Sequence, residues 1–425
     1  MFIIKKRINS ILIWSVISAA FIGPGTLAAS SSAGALFKYD LVWALLFAVF
    51  ACIILQEMSA RISIITGHGL SSVLKQNLRR KPAMVIGAAV VLGCAAYEAG
   101  NILGSVAGFL VLVKMNQRLL LIIIGLIVFL LLTYGGQNAI IKVLGTMVFL
   151  MGALFIFVAL SGTHSIGQFF NGTIPNLPRG SQWVTLALIG TTIVPYNIYL
   201  GSGLSHGQSL GEMRFGLAIS VVVGGVISIA ILVAATQIDK VDSFLDLAKL
   251  LGDSHGPWAY WLMGLGLFAA GFTSSITAPM AAGMITSGLF EDRIKSKEIS
   301  YRAGWSIVLL IGLFFGLLDV KPVPIIVAAQ ALNGFILPFL GIFLLVVVND
   351  KKQMKGHVNS AYMNLVSFVV LEVLLLLGLN GLWNAMNNII NLSLENNFVK
   401  FIIIQSIAFI CLLYTGYFIY RKRTV

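Results

Sequence analysis

Apolar stretches of about 20 residues, the length that crosses roughly 30 Å of hydrocarbon, recur from one end of this sequence to the other. That recurrence restricts the fold more than any other feature. A segment in lipid must satisfy its own backbone amides and carbonyls, and a helix does so within itself. The chain therefore reads as an all-α polytopic membrane protein. Composition agrees: 58% of the 425 residues are hydrophobic and 10% charged, against about a quarter charged in a soluble domain. A cleaved signal peptide would explain one apolar run at the start, not a series of them. The 43 glycines are scattered through the apolar runs without a fixed period, as close helix packing in lipid requires. Cys52, Cys94 and Cys411 lie inside such runs and read as small buried hydrophobes rather than disulfide or metal ligands.

Hydropathy divides the chain into twelve spans, at about 10-36, 41-66, 83-113, 118-135, 138-162, 182-203, 213-238, 257-289, 300-318, 322-348, 360-383 and 399-420. An even number puts both termini on one side. The segments on that side carry 20 of the 28 basic residues, so the positive-inside rule places both termini in the cytoplasm. The net charge of +13 is thereby assigned to short cytoplasmic loops facing anionic headgroups, and nucleic acid is not an expected partner. The absence of a targeting peptide and of large loops suits a bacterial cytoplasmic membrane.

The first and sixth spans are each interrupted by proline near the middle, at Gly23-Pro24-Gly25-Thr26 and at Val194-Pro195-Tyr196-Asn197. Proline removes a backbone donor and glycine permits non-helical angles, so carbonyls and amides are left bare at mid-membrane depth. Lipid cannot satisfy them. Single proline kinks are common in membrane helices, but two breaks five spans apart mark the central site of a transporter.

Several segments resemble one family. Ile17 to Thr26 (ISAAFIGPGT) through Leu41-Val42-Trp43 is similar to the opening of the NRAMP metal-ion transporters, and Leu55 to Gly67 (LQEMSARISIITG) to their second helix. Gly190 to Leu200 (GTTIVPYNIYL) looks like their broken sixth helix, Ala269 to Gly283 (AAGFTSSITAPMAAG) like the eighth, and Gln330 with Leu337-Pro338-Phe339 like the tenth. The resemblance implies a LeuT-type fold in which residues 10-162 and 182-348 form two inverted repeats around a midplane site. Residues 360-420 would then be two peripheral helices. It also implies a divalent metal cation as cargo and a proton as coupling ion. Yet NRAMP metal transporters read Asp-Pro-Gly-Asn where this chain has Gly23-Pro24-Gly25-Thr26, and Met-Pro-His where it has Val194-Pro195-Tyr196. The hard carboxylate oxygen and the soft thioether that favour manganese or iron are both missing. No residue is assigned as a metal ligand. In the third span the family's acidic relay is represented by Glu98 to Asn101, with one carboxylate kept and one position an amide.

Glu98 sits near the middle of its span, where an unpaired charge costs about 2.5 kcal/mol or more; it is expected to face the cavity, find a partner or hold its proton, and with Asn101 it is the expected coupling pair. Tyr97, its neighbour, points elsewhere on the helix and reads as packing. Glu57 should pair with Arg61 at i,i+4, and Glu372 should make a helix-helix hydrogen bond or snorkel towards the interface. Hydroxyls gather at Thr26, Ser30, Ser31 and Ser32, at Thr191 and Thr192, and at Thr273, Ser274, Ser275 and Thr277. Helix packing accounts for most of them. Thr26, Thr192, Asn197, Ser274 and Gln330 are singled out for the site, Ser274 and Gln330 because the resemblance puts their spans at its border. With no aspartate to cancel it, the positive end of each half-helix could also hold a small anion or a polar solute. The leading expectation is a secondary carrier. A non-transporting sensor on the same fold is the alternative of another class. No HExxH, GxSxG or P-loop occurs, so neither an enzyme nor a nucleotide-driven pump is expected, and no cofactor is implied.

Overall fold

The computed structural model describes residues 2–161, 165–237, 252, 256–290, 297–318, 336–390 and 397–424. The described residues are helical throughout, with no strand. The first expected span is two helices, α1 (Phe2–Phe21) and α2 (Pro24–Phe37), which meet at a 63° bend. Gly23 is the extended residue between them, and Pro24 takes the first helical position, where its missing N–H costs nothing. Helix α3 (Val42–Thr66) ends at Gly67, whose φ of 74° is the left-handed cap that glycine adopts freely. After α4 (Leu70–Asn77) come α5 (Arg80–Leu112), α6 (Gln117–Tyr134), α7 (Gln137–Ser161) and the short α8 (Ile166–Asn171).

The sixth span is α9 (Gln182–Thr192) and α10 (Pro195–Leu204), with Val194 extended between them. Then follow α11 (Leu210–Ala235), α12 (Pro257–Phe290), α13 (Lys297–Leu317), α14 (Ile336–Val347), α15 (Lys351–Met354), α16 (Ala361–Ile390) and α17 (Asn397–Thr424). Among the described residues, eleven spans are long and apolar enough to cross a membrane when the bent pair counts as one. The expected tenth span appears as α14 alone, the rest of it lying outside the described residues. Ser209 and Glu212 cap α11 reciprocally, so its entry is fixed by sequence-local hydrogen bonds.

Burial orders the bundle. The most apolar window of the sixth span is 94% buried, whereas that of α17 is 22% buried; the broken helix is the interior and the last helix a lipid-facing wall. Helix α1 packs against α11 and α7, α2 against α11 and α9, and α3 against α11 and α10. On the other side of the broken helices α5 lies along α12 and α13. That long contact is close because Gly108 and Gly271 have no side chains: a Cβ on Gly108 would stand 2.2 Å from the Phe268 nitrogen, and one on Gly271 2.3 Å from the Ser105 nitrogen. Backbones approach this way where small residues line a helix interface in lipid. The cysteines are free, Cys52 and Cys94 buried and Cys411 partly so.

Candidate functional site

The two breaks face each other across a small cavity of about 10 Å³, close to the space of one water. Its walls are Ala20, Phe21, Gly23 and Gly25 from the first break, Thr191, Val194 and Tyr196 from the second, Tyr97 and Asn101 from α5, and Ser274 from α12. All of these residues are buried. Gly23 is needed there for space, since a Cβ on it would stand 2.6 Å from the Ser274 hydroxyl.

The last turn of α1 ends in carbonyls without helical partners. Ser18 O accepts from the Ile22 N–H at 2.9 Å. Each of the next three accepts from a hydroxyl elsewhere in the fold. Thr273 and Ser274 donate to Ala19 O at 3.2 and 3.4 Å, Tyr196 donates to Ala20 O at 3.1 Å, and Thr26 reaches back to Phe21 O. Thr26 Oγ1 is also 2.8 Å from Thr191 Oγ1, a direct bond between the two broken spans. The Tyr97 and Tyr196 rings meet edge to face at 5.8 Å, an arrangement that adds about 0.5–1.5 kcal/mol beyond burial.

Of the residues expected from sequence, Gly23, Gly25, Val194, Tyr196, Ser274 and Asn101 line the cavity. Thr26 stands behind the lining in its two hydrogen bonds. Pro24 packs on Gly104 instead, where a Cβ would be 2.3 Å from the proline ring. Thr192 donates within its own helix to Leu188 O at 3.2 Å, and Pro195 simply starts α10. Asn197 is buried with both side-chain polar atoms unpartnered, away from the lining. Gln330 lies outside the described residues.

Glu98 does not line the cavity. Its side chain turns to α13, where a Cβ on Gly312 would meet Glu98 Cγ at 2.4 Å. The carboxylate oxygens make no hydrogen bond, and Asn101 and Ser275 are polar neighbours. Asn101 therefore stands between Glu98 and the cavity. Residues adjacent on a helix point about 100° apart, so turning Glu98 away turns Tyr97 in; Tyr97 is a wall of the cavity and not packing alone. Ala20, Phe21 and Thr191 complete the residues that sequence reasoning left unassigned to the site. The shortness of the unwound segment was their only signal, because it keeps the flanking residues on the cavity.

The other two carboxylates sit as expected. Glu57 pairs with Arg61 at 3.1 Å and also with Arg214 at 2.9 Å, and Glu372 accepts from Gln405 at 2.6 Å. No group of three or more His, Cys, Asp or Glu suited to a metal ion occurs among the described residues.

Interrupted helices around a buried cavity are the arrangement of a LeuT-type membrane fold. The family model "Natural resistance-associated macrophage protein-like" (Nramp) matches residues 15–384. The chain belongs to the Nramp family. The manganese transporter of Eremococcus coleocola, in complex with an aromatic bis-isothiourea substituted compound, is similar at a TM-score of 0.76 and 18% identity, over 98% of this chain and 94% of that one. A single-substitution variant of the same transporter matches at a TM-score of 0.74 and 18% identity, over 96% and 93%. Mhp1, a nucleobase-cation-symport-1 family transporter in a closed conformation with bromovinylhydantoin bound, matches at a TM-score of 0.58 and 13% identity, over 98% and 96%. At these identities the likeness is one of fold.

Proposed function

We propose that this chain is a secondary active transporter that moves a small ion across the cytoplasmic membrane by alternating access, with both termini in the cytoplasm. Residues 10-162 and 182-348 act as inverted repeats, and 360-420 stay peripheral. The observation that carries the reading is the meeting of two interrupted spans at one buried cavity, since bare backbone at that depth is tolerated only where a cargo or cavity uses it. The family and the manganese transporters of the same fold point to a divalent metal cation as cargo. A second reading, a small anion or polar solute, is favoured by the lining itself, which includes no carboxylate, imidazole, thiol or thioether.

Glu98 and Asn101 form the coupling pair in this reading, with a proton as the coupling ion. What supports it is a buried, unpartnered carboxyl whose neighbour Asn101 reaches the cavity. The test is uptake by purified protein in liposomes offered manganese, magnesium, calcium and a panel of small anions. Accumulation of one of them, lost when Pro24 and Pro195 are both replaced by alanine, is the expected result; a chain that moves none of them is not a carrier. A Glu98→Gln variant is expected to lose the pH dependence of that uptake, and one that kept both rate and pH profile would remove Glu98 from coupling.

A further inference from the structure

Two buried carboxamides on the N-terminal side of the bundle stand without partners. Gln56 on α3 and Asn197 on α10 are each 1% exposed, and neither the oxygen nor the nitrogen of either side chain makes a hydrogen bond. A packed interior ordinarily pairs such atoms, because leaving them bare costs free energy. Polar groups around them are matched. Ser59 donates to Ile198 O at 2.7 Å, the Ser63 and Ser202 hydroxyls are 2.6 Å apart, and Trp14 Nε1 and Ser10 Oγ both donate to Gln208 Oε1 at 3.1 Å. Packing alone does not call for glutamine at position 56, since methionine fills the same length with no amide to satisfy.

The seat of the Gln56 side chain is specific. A Cβ on Gly201 would stand 2.2 Å from Gln56 Oε1 and 3.2 Å from the Trp14 ring, so the carboxamide fills the notch that a missing side chain leaves on α10, and α1 covers it. Asn197 precedes Gly201 by one turn and lies on the same face of α10. Gly201 follows the cavity residue Tyr196 by five positions and Trp14 precedes the cavity residue Phe21 by seven. At 1.5 Å per residue the notch is therefore about 7–11 Å from the cavity along both helices. Helices α1 and α10 are halves of the two broken spans, and α3 is the unbroken helix packed along α10.

We propose that Gln56 is the stopper of the route from the central cavity to the end of the bundle that holds the N-terminus. Seated in the Gly201 notch, its side chain shuts the route. When α1 draws away from α3 and α10, the bare carboxamides of Gln56 and Asn197 gain water, so opening relieves a cost that the closed state carries. The two amides are neutral and offer donors and acceptors alike, so the opened route receives a cargo of either sign together with its water. The proposal deepens the carrier reading above and rests on it for the cargo; the stopper itself is tested without one.

Cys52 lies one turn before Gln56 on α3 and is 1% exposed, a built-in reporter of water that reaches the notch. In the full-length chain with Cys94→Ala and Cys411→Ala it is the one thiol left. The experiment is its rate of modification by 2-aminoethyl methanethiosulfonate in lipid nanodiscs. Gln56→Ala is expected to speed modification at least tenfold. Gln56→Met, which fills the notch and leaves nothing unsatisfied, should slow it at least threefold and raise the melting temperature. Gly201→Ala evicts the side chain, so it should speed modification when Gln56 is present and add nothing to Gln56→Ala. Equal rates in the parent and Gln56→Met overturn the proposal, as does a Gly201→Ala effect that persists in full without the glutamine. If Gln56→Ala does not fold, the parent, Gln56→Met and Gly201→Ala decide alone. The expected pattern in a chain that moves none of the solutes in the uptake panel upholds the stopper and removes the carrier reading instead.

Discussion

Gly23 and Val194 are where the lining departs furthest from the family's metal-binding pattern, and the geometry shows how each substitution shapes the cavity. A side chain at 23 must displace the Ser274 hydroxyl, the end of a small side chain that can rotate away. Gly23→Asp combined with Val194→Met, with the Ser274 hydroxyl turned aside, is expected to bind manganese more tightly than the wild type by at least tenfold, measured by calorimetric titration of the full-length chain in lipid nanodiscs with manganese chloride. Tyr196 carries a different prediction. Its hydroxyl caps Ala20 O at 3.1 Å, and Tyr196→Phe leaves a buried carbonyl without a donor, which costs about 1–3 kcal/mol. A lower melting temperature with the cavity otherwise intact is the expected readout. The prolines that break the helices were legible in sequence because proline and glycine act locally. The hydroxyl caps were not: Tyr196 lies 176 residues from Ala20 and Thr273 lies 254 from Ala19, and the sequence contains many hydroxyls that serve only their own helix. The place of Tyr97 in the lining is not legible either, since only the rotation of α5 decides which of two neighbours faces inward.

At the level of helices, apolar length located most spans to within a few residues, because the membrane imposes one dimension on all of them; α1 starts well before its expected first residue, α16 runs past its expected last one, and most of the tenth span lies outside the described residues. The short helices α4, α8 and α15 escaped that reading, being far below a spanning length, and α5 begins three residues before its expected start because Pro82 is tolerated in a first turn. What length cannot give is which helix lies against which. The contact of α5 with α12 depends on Gly108 and Gly271, whose backbones touch the facing helix. Gly271→Ala forces a methyl against the Ser105 nitrogen and is expected to destabilise the protein by about 1–3 kcal/mol. Gly271→Leu should abolish a monodisperse peak on size exclusion. Ala281→Ser, a small change on the same helix, serves as the control and should leave the peak unchanged.

For the whole molecule, one end of the bundle is closed by polar contacts that join distant parts of the chain. Arg61 donates to His357 O at 2.8 Å while pairing with Glu57, Arg214 approaches the same glutamate, and Lys422 lies 2.6 Å from Asp350. Arg423 donates to Asn349 at 2.9 Å, tying the last helix to the loop after α14. Burial acts to raise the Asp350 carboxyl, but Lys422 and the backbone N–H groups of Gln353 and Lys352 outweigh it and hold it below the usual aspartate value. A carboxyl depressed in the folded state contributes stability above its unfolded value, near pH 4, and loses it as pH falls through the folded value. Melting temperature should therefore fall as the pH is lowered from about 5 to about 3, and Asp350→Asn should start lower and vary less over that range. The capped carbonyls of the first break bear on the economics of the transport cycle as a whole. In the carrier reading proposed above, a molecule whose α1 carbonyls are already capped by its own hydroxyls needs no passenger to satisfy them, so its return stroke is expected to run unloaded. Net flux down a gradient is then expected to proceed as fast as exchange of one labelled cargo molecule for another.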